Sequence, residues 1–336
     1  METFYHATLG LLKRSAIALG FFDGVHPGHQ AVIGAAVAEA KKQNLVAAVV
    51  TFRDHPRSLT QGSSPLLLTV IEQRLAQFEK LGVEAALVLD FTEELCRLAP
   101  EEYVRKILHE SMGAKLISVG YNHHFGRDRE GSPQLLAELG TKMGFSVRVA
   151  PPVFVDGQEV SSSRIREALF KGEIESANHL LSRPYAVMGT VVRGAARGRS
   201  IDVPTANLAT EEYQVIPARG VYVGLAHIKG REPLPAVINI GTRPTFDADK
   251  GDPVQRPDVA KFLVEAHILN FNQDIYDQKL ELSFYQYLRE EKKFDSVALL
   301  KTQILADCQK AKEFFQVQTN TQPKSPTAEP EHKLPA

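Results

Sequence analysis

Several groups of residues in this sequence have the types and spacing that phosphate chemistry needs. His26 and His29 stand three apart in GFFDGVHPGHQ, residues 20–30, and an imidazole can hydrogen-bond a phosphoryl oxygen near neutral pH. Ser162, Ser163 and Arg166 fall in VSSSRIREAL, residues 160–169, where a guanidinium offers bidentate donors to phosphate. Thr205 and Asn207 in VPTANL, residues 203–208, are oxygen donors that an extended backbone points the same way. Hard oxygens of that kind suit magnesium held together with substrate phosphates. Glu265 in KFLVEAHIL, residues 261–269, sits among mostly apolar neighbours, and a partly desolvated carboxylate is a better general base. Taken singly, each group also has a plainer reading as a surface histidine pair, a helix cap, a polar turn or a structural carboxylate paired with arginine.

The elements around them sharpen the choice. Ala16 to Leu19 is a short apolar run that predicts a buried strand. Gly20 to Gly24 breaks it, Pro27 suits a first helical turn, and Val32, Ile33, Ala36, Val37 and Ala40 repeat at helical spacing. His26 and His29 therefore fall at a helix N-terminus, where unpaired N–H groups and the helix dipole favour anions. Further apolar runs at 45–52, 85–91, 115–120 and 145–153 alternate with helical stretches around Ile71 and after Pro100 and Pro133. Five strands with helices between them predict a doubly wound parallel sheet, with its ligand crevice at the carboxyl ends of the strands. The loops expected there, TFRDHPRS after the second strand and GYNHHFGRDREGS after the fourth, are rich in groups that could bind. Ser161 to Ser163 can cap a helix that brings Arg164 and Arg166 to its N-terminus.

From Tyr185 the texture changes. Short runs such as YAVMGTVV, GVYVGLAHI, LPAVINIG and LELSFYQYL, separated by Gly and Pro, predict an antiparallel barrel or sandwich. A long helix follows with Val297, Leu300, Ile304, Cys308, Ala311 and Phe315 on its apolar face, and from about Gln318 the sequence loses apolar periodicity and is expected to be disordered. A chain of 336 residues is comfortable as two domains, so two cores are expected. A net charge of -1 offers no general attraction to nucleic acid or anionic membrane, and neither is expected as a partner. Cys96 and Cys308 suggest neither a disulfide framework nor a zinc site. The absence of a membrane-length apolar run and of a signal-peptide pattern leads to a cytoplasmic expectation.

The segment GFFDGVHPGHQ resembles the HxGH signature of nucleotidyltransferases, in the version found in bacterial bifunctional riboflavin kinase/FAD synthetases. TFRDHPRS is similar to that family's TFxPHP segment, keeping Thr51, Phe52, His55 and Pro56 with Asp54 in place of proline. GYNHHFG resembles its GxNFxFG segment through Gly120, Asn122, Phe125 and Gly126, with His123 replacing an aromatic residue. VSSSRIR resembles ISSTxIR, which in the family closes over the triphosphate opposite HxGH. VPTANL, GVYV at 220–223, NIGTRPTF at 239–246, VEAHIL and IYDQKLELSFYQYLREEKKF are similar to the riboflavin kinase module, although Asp202 and Val203 replace a glycine and an aromatic residue.

The resemblance implies an FMN adenylyltransferase domain over 1–183, a β-barrel riboflavin kinase domain with a long terminal helix over 184–317, and a tail over 318–336. It implies ATP contacts from Gly20, Phe22, Asp23, Gly24, His26, Gly28, His29, Ser162, Ser163 and Arg166, and flavin contacts from His55, Pro56, Asn122 and Phe125. In the kinase it implies nucleotide or flavin contacts from Gly198, Pro204, Thr205, Asn207 and Arg289, Mg2+ on Thr205 and Asn207, and Glu265 as base. The ligands would be riboflavin, FMN, FAD and ATP, with homo-oligomerisation left open. The alternatives are a monofunctional FAD synthetase with an impaired kinase domain and a non-catalytic flavin-binding regulator.

Overall fold

The structure is a computed structural model that describes residues 1–55, 65–194, 203–211, 213–242 and 262–321. Its first part is a six-stranded sheet in the order β1-β4-β3-β2-β5-β6, all parallel. The strands are β1 (Glu2–Phe4), β2 (Ser15–Leu19), β3 (Val46–Phe52), β4 (Ala85–Leu89), β5 (Ala114–Gly120) and β6 (Ser146–Ala150). β2 to β6 answer to the apolar runs in the sequence. β1 is additional: its three residues carry no run, and they are ordered by pairing with β4.

Helix α1 (Pro27–Gln43) follows β2, and α2 (Ile71–Lys80) follows β3. Their apolar faces cover one side of the sheet through Ile33, Ala36, Ala40 and Phe78. The other side is covered by Tyr103, Val104 and Leu108, and by Leu136 and Leu139 of α5 (Pro133–Met143). Between these lie a single-turn helix α3 (Glu93–Arg97) and α4 (Pro100–Tyr103), which runs on as a π-helical segment over Val104–Ser111. The chain runs outward from β2 through β3 to β4, then returns to the other side of β2 for β5. The crevice of a doubly wound sheet forms at that reversal, between the carboxyl ends of β2 and β5.

A small hairpin, β7 (Phe154–Val155) and β8 (Gln158–Glu159), leads to α6 (Ser162–Lys171) and α7 (Ile174–Leu181). The second part is a closed antiparallel barrel in the order β10-β13-β12-β11-β14-β9, which decides between barrel and sandwich. Its strands are β9 (Tyr185–Val192), β10 (Ala206–Thr210), β11 (Gly220–Ile228), β12 (Leu234–Thr242), β13 (Phe262–Ile268) and β14 (Lys279–Arg289). Helix α8 (Val297–Thr321) packs Ile304, Cys308, Ala311, Phe314 and Phe315 against the outside of the barrel. It continues past Gln318, where loss of order was expected.

The expectation of two cores is too simple. The described residues form four apolar clusters, and the largest joins the barrel interior to Ile165, Leu169, Ile174 and Leu181 of α6 and α7. Both helices precede residue 184, yet they bury their apolar faces with the barrel. Polar contacts tie the halves together as well. Leu67 pairs its backbone with Tyr213 and Val215, and Gln73 of α2 donates to Glu281 at 2.7 Å and accepts from Gln214 at 2.8 Å.

Candidate functional site

Above the carboxyl ends of β2 and β5 lies a cavity of ≈400 Å³. The turn after β2 supplies its floor through Gly20, Phe22 and Asp23, and α1 supplies His26, Gly28 and His29. His26 is the N-cap of α1 and Pro27 its first residue, with no side chain capping the free amides. Those amides and the helix dipole are therefore available to an anion. The turn is strained: Phe22 has φ 58° and Val25 φ 40°, and a left-handed β-branched residue costs on the order of 1–3 kcal/mol that surrounding contacts must offset. Gly24, at φ 84°, does not line the cavity. A Cβ there would meet Leu68 Cδ1 at 2.7 Å, so glycine is needed for close packing.

The two imidazoles stack with ring centroids 3.7 Å apart. Burial pushes His26 down to about 4, with the positive charges of Arg183 and Arg166 adding to it. His29 is held well below the usual imidazole range by burial first, then by His26, Arg183 and Arg74. Both rings are thus neutral at pH 7, and the Nδ1 atom of each is buried without a hydrogen-bond partner among the described residues. Buried polar atoms need hydrogen-bond partners, so two acceptors or donors side by side in a cavity suit a polar ligand group.

Opposite α1, the N-terminus of α6 brings Ser162, Ser163 and Arg166 to the same cavity. Ser161 is its N-cap, accepting from the Arg164 amide, and Ser162 Oγ donates to the Asp23 carbonyl at 3.0 Å. Arg166 is ion-paired with Asp23, and that carboxylate, 3 % exposed, also accepts from the amides of Leu68 and Thr69 at 3.1 and 3.0 Å. Asp23 thus anchors Arg166 and the segment that leads into α2. Beneath the turn, the fully buried Arg74 donates to the carbonyls of Phe21, Phe52 and Arg53 and lies 4.5 Å from the Phe21 ring.

Of the residues expected at the flavin end, His55 and Asn122 line the cavity, and His55 meets Phe21 edge-on at 4.9 Å. Phe125 does not reach it. It is buried in the core behind, with its ring 6.0 Å from that of His123, and His123 forms the wall instead. Pro56 lies outside the described residues. Sequence reasoning missed Tyr121 and Glu159, which line the cavity and are joined by a 2.5 Å hydrogen bond from the phenol. A signal was present: Asp156-Gly157 between two short extended pairs is a hairpin turn, with φ 55° and 74°.

In the barrel, register does the aligning. Asn207 of β10 is paired with Glu265 of β13, and Glu265 with Asn239 of β12. Directly paired residues share a face, so these three polar side chains form a row across adjacent strands. Val264 and Ala266 fill the interior, which sets Glu265 on the outer face, half-buried. Asn207 is 8 % exposed, and the backbone of Gly194 passes close against its amide. Pro204 and Thr205 border a second cavity of ≈280 Å³ whose other walls include Phe271 and Tyr276, with the Arg193 guanidinium 5.4 Å over the Tyr276 ring. That aromatic wall was not foreseen. Gly198 and Asp202 lie outside the described residues, while Val203 is buried at 3 % exposure. Arg289 is engaged elsewhere: its guanidinium is paired with the fully buried Asp307 of α8, three strands round the barrel from Glu265. Among the described residues no group of three His, Cys, Asp or Glu could hold a metal alone. A hydroxyl and an amide oxygen beside a carboxylate do fit Mg2+ that keeps its waters and takes its other ligands from substrate phosphates.

Comparison with known proteins agrees with this two-part layout. Residues 10–164 match the FAD synthetase family model, and residues 181–315 the riboflavin kinase model. A bifunctional riboflavin kinase/FMN adenylyltransferase of Pseudomonas fluorescens is 37% identical over 290 residues, 86% of this chain and 89% of that protein. The one from Bacillus subtilis is 34% identical over 305 residues, 90% and 93% of the two chains. A crystal structure described as a macrolide-efflux protein from Streptococcus pneumoniae superposes with a TM-score of 0.80 and 32% identity, covering 93% of this chain and 99% of that one. No helix among the described residues here is long and apolar enough to cross a membrane. Similarity of this degree along both parts places the chain in the bifunctional riboflavin kinase/FMN adenylyltransferase family.

Proposed function

We infer that this chain makes flavin cofactors in two steps, phosphorylating riboflavin to FMN with ATP in the barrel and joining FMN to the AMP moiety of a second ATP at the parallel sheet. The observation that supports this most directly is the convergence of two helix N-termini, α1 with its neutral histidine pair and α6 with Ser162, Ser163 and Arg166, on one cavity. A phosphate oxygen of FMN attacks the α-phosphorus of ATP, the bond to the bridging oxygen breaks, and pyrophosphate leaves. FMN is already a nucleophile, so no covalent intermediate is needed. The protein's task is to align the reactants and stabilise charge on the equatorial oxygens. The Nδ1 atoms of His26 and His29, which have no hydrogen-bond partner among the described residues, and the amides of α1 serve one side, and α6 serves the other. His55 and Asn122, which line the same cavity, would take the flavin end.

In the barrel, Glu265 accepts the proton of the riboflavin 5′-hydroxyl as its oxygen attacks the γ-phosphorus. Thr205 and Asn207 would hold Mg2+, which when bound neutralises charge developing on the phosphates. The cavity beside Thr205, with its Phe271 and Tyr276 wall, suits a flat base such as adenine. The test is incubation with riboflavin and Mg-ATP followed by chromatography: FMN appears first and FAD accumulates. Riboflavin returned unchanged would overturn the kinase assignment, and supplied FMN returned unchanged would overturn the adenylyl one.

A further inference from the structure

Arg183 lies in the short connection between α7 and β9. Its guanidinium reaches back into the first half of the molecule. It donates to the Gly24 carbonyl at 2.7 Å, and its other amino group lies 3.4 Å from the Val25 carbonyl and 3.5 Å from that of Leu181. Among the described residues it makes no ion pair. The carbonyls it grips belong to the left-handed pair of the turn, Gly24 at φ 84° and Val25 at φ 40°, immediately before His26.

We propose that Arg183 is a positioning residue for adenylyl transfer: by clamping the Gly24 and Val25 carbonyls it fixes the strained turn that sets His26 and His29 against the α-phosphate. The inference rests on the functional reading given above. Arg183 does not line the cavity; it acts through the turn. The geometry needs an arginine because two carbonyls are engaged from one planar fork, which a lysine ammonium cannot reproduce. The Val25 carbonyl is held from a second side by Gln30 Nε2 at 2.9 Å, so without Arg183 the turn would keep one of its restraints and remain folded. The residue also brings charge. The groups facing the two imidazoles are Arg183 from the linker, Arg166 from α6 and Arg74 from α2, while Asp23, the carboxylate of the turn, is taken up by Arg166. Because Arg183 precedes β9, the barrel's first strand fixes a turn of the adenylyl site.

The test uses the full-length protein with Arg183→Met and Arg183→Lys. For Arg183→Met, kcat for FAD formation from supplied FMN and ATP should fall about ten- to a hundredfold, the scale of a small misplacement in a pre-organised site. The ATP dissociation constant should change little, and riboflavin phosphorylation by the same sample should stay at the wild-type rate. Nitrogen-detected NMR titration should show the His26 imidazole taking up its proton at higher pH than in the wild type, since a neighbouring cation has gone. Arg183→Lys keeps the charge but not the fork, so kcat should still drop while the His26 titration stays in place. An adenylyl kcat within about twofold of wild type for Arg183→Met would overturn the proposal, as would a parallel loss of both activities with a lowered melting temperature. A wild-type protein that made no FAD would instead overturn the functional reading, and the imidazole titration would still report whether Arg183 acts on His26.

Discussion

The two candidate sites are assembled by different physics. In the parallel sheet, the carboxyl ends of strands open into loops, and the cavity collects the turn after β2, the loop after β5, the hairpin and the start of α6. The hairpin has a short ladder of its own, but the turn after β2 is tied to its neighbours by side chains, the buried Arg74 and Asp23 and the half-buried Arg183, each bonding to backbone groups of another segment. In the barrel, by contrast, Asn207, Glu265 and Asn239 are lined up by strand register alone. Loop-built sites need buried tethers, whereas a register-built site takes its order from the ladder and can sit on an outer face.

The largest expected effect follows from Glu265→Gln, which keeps shape and register and removes the base. Riboflavin phosphorylation should fall by about two or more orders of magnitude, while supplied FMN is still converted to FAD, both read by chromatography. If FAD formation from FMN vanished in a folded protein, the contrast between separate sites would be broken. His29→Ala should do the reverse, lowering FAD formation by about two orders of magnitude, as the loss of a transition-state donor does, so that FMN accumulates from riboflavin. The double variant should show both losses independently, because sites that share no partners act additively.

Gln214→Ala asks whether the two halves unfold together. The Gln214 side chain is 2 % exposed and bonds to Gln73, the Ala186 carbonyl and the Met188 amide. Leaving those groups unpaired should cost about 1–3 kcal/mol, seen as a lower midpoint in a single denaturant transition. Two separate transitions in the wild type would show that the shared cluster of α6, α7 and barrel does not couple the halves.

The smallest effect at neutral pH, and a sharper one in acid, belongs to His123. Burial pushes it down to about 4, with His124 and Arg129 adding. A depressed imidazole is neutral in both states above its unfolded value near 6.5. Below that value the unfolded chain takes up a proton the folded chain refuses, so stability is lost as pH falls from 6.5 toward 4. His123→Phe removes this drain. Its melting temperature should exceed that of the wild type at pH 5 and differ little at pH 7.5, and equal shifts at both would show that packing, and not titration, sets the difference.

How far the sequence reached depended on whether the cause was local. The β2 strand, the break at Gly20 and the start of α1 at Pro27 follow from apolar runs, glycine and proline acting within a few residues, and so did the placing of His26 and His29 at a helix N-terminus. The same holds for the cap at Ser161. Phe125 shows where this fails: the sequence marks it as aromatic in a polar loop, but packing behind Tyr103 and His123 decides that it faces the core.

The sequence by itself determined an alternating α/β part, a β-rich part, a terminal amphipathic helix and the chemical groups available to each. Only tertiary structure decided that β5 returns beside β2, which opens the crevice where α1 and α6 meet. It also decided that Asn207, Glu265 and Asn239 fall in one row, that Arg289 is paired with Asp307, and that α6 and α7 join the barrel core. The physical reason is range: propensity and periodicity act over a few neighbours, whereas strand order, register and the partner of a buried charge are fixed by contacts between segments far apart in the chain.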